Sequence, residues 1–191
     1  MSEKDRDHLP ALLEQLGRSD PATARALLER AAREHPDDGR PLLLLAAQYM
    51  HAQEIDLAEA TYMAALERAP DLAIARFQLG LLQFSSARPA VAQATWAPLD
   101  RLDPKEPLRL FKTGLELLGQ DRFDEARRFI EAGLAENTTN PALNRDMQMV
   151  LDEMTRRNLG GETTSGANGD EAQPPLAERE HFLISSYRRT Q

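Results

Sequence analysis

Residues 39–72, GRPLLLLAAQYMHAQEIDLAEATYMAALERAPDL, decide the fold. An apolar block at 42–47 leads to Tyr49, a polar turn follows, and Ala58, Tyr62 and Ala65 then recur at helical intervals before Pro70 closes the unit. Shifted by 34 positions, the pattern returns. Ala24, Ala58, Ala92 and Ala126 are in register, as are Leu28, Tyr62, Trp96 and Ile130, and so are Pro36, Pro70 and Pro104. Leu12, Ala46, Gly80 and Gly114 share another position, which is small in all but the first. A 34-residue period with small, large, small and proline at fixed offsets marks a repeated helix-turn-helix unit.

Each unit holds two apolar stripes at i, i+3, i+4, i+7 spacing, split by a polar or proline-bearing turn. The turns fall at 17–20, 51–54, 85–88 and 119–122. Pro21, Pro41 and Pro89 suit the first position of a helix, where the missing N–H is not needed. Asp121 is placed as an N-cap of the last of these helices. The alanine register lets the two helices of a unit approach, so Ala58→Leu would cost about 1–3 kcal/mol in overpacking. Trp96, at the large position, reads as core filler. In the fourth unit Thr138 takes the proline's place and Pro141 follows three residues later, so 137–140 is expected to be a longer connection. A helix is expected over 141–158 with Asn140 as N-cap. Its stripe of Leu143, Met147, Val150, Leu151 and Met154 suits a cap that covers the last repeat.

On these residues the chain resembles the tetratricopeptide repeat family, in four copies over about residues 5–140. The resemblance implies an all-α fold, a right-handed α-solenoid of antiparallel helix pairs, with 1–158 as one array ending in the capping helix. It also implies that the first helix of each pair lines a concave channel. The matching positions are Leu9, Leu13 and Leu16 in the first unit, and Arg40, Leu43, Ala47, Met50 and His51 in the second. Phe77, Leu81, Phe84 and Ser85 follow in the third, and Phe111, Leu115 and Leu118 in the fourth. Members of the family that grip a C-terminal carboxylate carry lysine, asparagine and arginine at such offsets. Leu and Phe stand there in this chain, so it departs from that subgroup.

An accessible wall of Leu and Phe fits an amphipathic helix or extended peptide with spaced apolar anchors. The implied function is a non-catalytic protein-protein interaction module, an adaptor or scaffold. The alternative is a chaperone similar in architecture to the short tetratricopeptide chaperones of secretion systems, which hold apolar segments of export substrates.

The sequence changes character at 159–175, which is rich in Gly, Ser, Thr and Asn and reads as a flexible linker. It contains neither a GxxxxGK[ST] pattern nor a lysine, so a phosphate loop is excluded. At 176–191 apolar spacing returns with Leu176, Phe182, Leu183, Ile184 and Tyr187, followed by Arg188 and Arg189. This C-terminal segment is expected to act as a ligand, for the chain's own groove in cis, for the groove of a second copy, or for another protein.

Composition narrows the remaining classes. The net charge of −8 argues against a nucleic-acid binder, which would carry a basic face. There is no cysteine for disulfide or thiolate chemistry, and no apolar run approaches the roughly 18 residues a membrane span needs. The expectation is a cytoplasmic protein without membrane insertion. His8, His35, His51 and His181 lie in separate segments without metal spacing. No nucleophile–base arrangement or paired carboxylates stand out, so neither enzymatic activity nor a cofactor is expected.

Overall fold

The computed structural model describes residues 8–162. Within them the chain forms α1 (Leu9–Leu16), α2 (Pro21–Glu34), α3 (Arg40–His51), α4 (Ile55–Arg68), α5 (Ala73–Ser85), α6 (Pro89–Trp96), a 3₁₀ segment (Ala97–Arg101), α7 (Pro107–Leu118), α8 (Phe123–Glu136) and α9 (Pro141–Glu162). No strand occurs among the described residues. Helices pack in chain order, α1 on α2, α2 on α3 and α3 on α4, and further on α7 on α8 and α8 on α9. That is the nearest-neighbour packing of a tetratricopeptide-like solenoid.

The chain divides into two compact units, one up to Leu79 and one from Gly80 onward, with the division inside α5. A core cluster of the first unit is built on Leu12, Leu28, Ala31, Leu42, Leu45, Ala65 and Ala75, from α1 to α5. Every residue of the alanine, large and small registers is buried in its unit.

In the second unit glycine replaces alanine because its partner helix fills the space. A methyl group at Gly80 would lie inside the van der Waals envelope of the Trp96 indole. One at Gly114 would come within 2.6 Å of Ile130 Cγ1 and 3.1 Å of the Ala126 carbonyl oxygen. The reverse notch is Gly133 on α8, where a methyl group would stand 2.5 Å from Phe111 Cε1. A glycine on each helix lets α7 and α8 approach closely.

The turns inside the pairs repeat as faithfully as the core. Gln53, Ala87 and Asp121 have φ of 60°, 60° and 59°, each 34 residues from the next. The residue after each closes a six-to-one bond, from Glu54 N–H to Tyr49 O (2.9 Å), Arg88 N–H to Gln83 O (2.9 Å) and Arg122 N–H to Leu117 O (3.0 Å). This bond pattern, with a left-handed residue at its centre, satisfies carbonyls at the helix end. Asp121 is therefore the left-handed residue of its turn, and Arg122 occupies the N-cap position expected for it. The first turn is built differently. Asp20 is an extended N-cap whose Oδ1 accepts from Ala22 N–H at 3.0 Å and Thr23 N–H at 3.1 Å.

The connection after α8 is no longer than the one after α4, against expectation, since α8 ends at Glu136 and α9 begins at Pro141. Buried Asn137 holds it without proline. Its Nδ2 donates to Asn140 O at 3.1 Å and to Asn144 Oδ1 at 2.8 Å, and Asn144 Nδ2 donates back to Asn137 O at 2.8 Å. Asn140 Oδ1 accepts from Leu143 N–H at 3.1 Å, the expected cap. Leu143, Met147, Val150, Leu151 and Met154 of α9 are all buried. The helix extends through Glu162, past residue 158, because lengthening a nucleated helix adds one hydrogen bond per residue fixed. The remaining linker and the C-terminal segment 176–191 lie outside the described residues.

Candidate interaction surface

The residues assigned to the channel divide into two groups. On α1 and α3 they stay accessible. On α1, Leu13 is 47% exposed, and Leu9 and Leu16 are half-buried against the core cluster. On α3, Leu43 is half-buried against the same cluster, Ala47 and Met50 are half-buried, and His51 is exposed at the helix end. The period of 3.6 explains the pattern. Leu12, Leu42 and Ala46 point into the core, so the residues one position on, Leu13, Leu43 and Ala47, emerge at its border.

In the second group the expectation fails. Phe77, Phe111 and Leu115 have no exposed surface, and Leu81 and Leu118 are also buried. Phe111 fills the notch at Gly133, so its ring is part of the α7–α8 core. These five residues line no open wall. Phe84 and Ser85 are half-buried. The Phe84 ring stands 5.8 Å from that of Trp96, centroid to centroid, and closes over Gly119, where a methyl group would be 3.0 Å from Phe84 Cε2.

Arg40 also has a local role. Its Nε lies 3.0 Å from both Asp38 oxygens, its Nη2 donates to Oδ2 at 2.9 Å, and its backbone N–H donates to Oδ1 at 2.8 Å. Burial pushes the Asp38 carboxyl up, but Arg40 and the nearby His8 outweigh it and hold the group below the usual range.

Three side-chain groupings went unread in the sequence. Arg25 on α2 donates to Glu54 Oε1 at 2.7 Å with its guanidinium 5.0 Å above the Tyr49 ring, tying α2 to the α3–α4 turn. Lys112, buried on α7, donates to Asp100 Oδ1 at 2.6 Å and lies 3.1 Å from Glu116 Oε2. Burial holds the Glu116 carboxyl above its ordinary value, although Lys112 pulls it down. The third is His8 stacked on His35, with ring centroids 3.5 Å apart and planes 4° from parallel. They come from different helix ends, and no periodicity connects them.

Among the described residues no group of three His, Cys, Asp or Glu is placed to hold a metal ion, and no helix is long and apolar enough to cross a membrane. A family model described as tetratricopeptide repeat matches residues 15–81. No curated protein matches the chain.

Proposed function

We propose that this chain, whose residues 15–81 match a tetratricopeptide repeat model, is a protein-protein interaction module and that its working surface is the apolar face that α1 and α3 leave accessible. The observation that carries the reading is the difference between α1 and α3 on one side and α5 and α7 on the other. Leu9, Leu13, Leu43, Ala47 and Met50 keep accessible surface on α1 and α3, whereas Phe77 and Leu81 on α5 and Phe111 and Leu115 on α7 are buried. The family match, residues 15–81, takes in α3 of this face and leaves out Leu9 and Leu13 on α1.

A segment with spaced apolar side chains suits this face, because side chains at helical or alternating spacing reach successive shallow sites. Three anchors at about 1.5–3 kcal/mol each, less the cost of ordering, give affinity near the micromolar range. The chain supplies one such segment itself. Phe182, Leu183, Ile184 and Tyr187 are followed by Arg188 and Arg189, and a tethered ligand acts at an effective concentration on the order of millimolar. The adaptor is thus held closed, in cis or by a second copy, until a partner displaces the segment.

A hydrophobic dye added to the full-length protein tests this. Phe182→Glu with Ile184→Glu should raise dye fluorescence, and adding Leu13→Glu with Met50→Glu should remove the rise. If the tail substitutions change nothing, self-docking is wrong. Should fluorescence rise but ignore Leu13 and Met50, the surface is misassigned.

A further inference from the structure

We propose that the stacked His8–His35 pair, with Asp38 beside it, is a proton-operated latch that holds α1 on the first unit near neutral pH and releases it in acid. Three elements meet at the stack. His8 is the N-cap residue of α1, His35 is the C-cap residue of α2, and Asp38 lies in the connection to α3. The rings lie 3.5 Å apart and nearly parallel, and His8 Nε2 is 3.7 Å from Asp38 Oδ2.

α1 depends on what holds it. It has eight residues, of which Leu12 is the buried one. A helix below about 12–15 residues is marginal alone, so α1 persists because it is docked. Docking consists of Leu12, the half-buried Leu9 and Leu16, and the histidine stack at its first turn.

The charges around the stack set the direction of the switch. Asp38 is the carboxylate against His8, and Arg40 already occupies both of its oxygens. From the last turn of α2, Glu34 lies near enough to His35 to feel its charge, but it is engaged by Arg30 Nε at 2.7 Å, and Arg33 adds another positive group. Asp37 is exposed in the connection. One proton on the stack is welcome, since Asp38 faces it. A second places two cations face to face with one shared carboxylate between them and Arg40. Parallel imidazolium rings at this separation repel, and the simplest relief is for α1 to leave.

Release carries away Leu9, Leu13 and Leu16, so acid would dismantle the proposed binding face; this consequence rests on the functional reading above, while the latch stands on the stack alone.

Amide hydrogen exchange of the full-length protein at pH 7.5 and pH 5, corrected for intrinsic rates, tests it without a ligand. Protection over α1 should fall at least tenfold more than over α8. His35→Phe keeps a flat ring against His8 but cannot take a proton, and it should abolish the pH-dependent loss. The latch is wrong if α1 protection holds at pH 5, if α1 is unprotected at both pH values, or if His35→Phe loses it just as the wild type does. None of these results touches the Leu13 and Met50 substitutions, so the two ideas fail separately.

Discussion

Gly80→Ala should destabilise the protein, although the same change at an exposed helix position would stabilise it. Gly80 lies inside α5, where replacing Gly with Ala ordinarily gains about 1 kcal/mol of helix propensity. Here the added methyl group would enter the indole of Trp96, which has no exposed surface. The clash is with a rigid ring, which places the cost at the upper end of the roughly 1–3 kcal/mol seen for overpacking. Net destabilisation is then about 1–2 kcal/mol, with Tm falling about 2–4 °C for each kcal/mol in a chain of this size. The decisive measurement is the double-mutant cycle with Trp96→Leu. Removing the indole costs stability by itself, but in that background Gly80→Ala should become neutral or stabilising, giving a coupling of about 2–3 kcal/mol. Denaturant unfolding followed by far-UV circular dichroism reads all four proteins. If Gly80→Ala stabilises both backgrounds equally, the small-against-large packing rule is wrong at this pair.

The turns yield a prediction of opposite sign. Ala87 holds φ at 60°, which costs an L-residue about 1–2 kcal/mol and glycine nothing, so Ala87→Gly should raise the unfolding midpoint, checked by the same denaturant titration. Asp121→Gly should gain less, because aspartate tolerates that region better than alanine. For Glu116, burial raises the folded-state pKa, so its contribution is fully present below the unfolded value and is lost as pH rises through the folded one. Glu116→Gln cannot ionise, and its stability relative to wild type should be greater at pH 7 than at pH 4. A constant difference across that range would mean the carboxyl is not penalised by its site.

Most of the fold was legible because its determinants are local and repeat. Ala24, Ala58, Ala92 and Ala126 are identical and buried, and their spacing alone identifies a helix packed closely on its neighbour. Proline registers located the connections, and where Thr138 broke the register an asparagine network kept the geometry. The left-handed turn residues were hidden, since glutamine and alanine carry no preference for positive φ. Backbone hydrogen bonds impose that conformation there, against side-chain preference.

The channel was harder to read because exposure is not a property of register. Leu9, Leu43, Phe77 and Phe111 occupy equivalent positions, yet the leucines keep accessible surface and the phenylalanines have none. For Phe111 the missing signal lies on the facing helix. Gly133 stands where the earlier repeats have Ala31, Ala65 and Leu99, and the notch it leaves takes the Phe111 ring. An aromatic gained on one helix and a side chain lost on its partner are two halves of one packing event. Read one helix at a time, Phe111 looks like an invitation to a ligand; read against Gly133, its site is already filled. The same logic directs attention to α1 and α3, whose repeats carry Ala31 and Ala65 at the notch position and where Leu9 and Leu43 keep accessible surface.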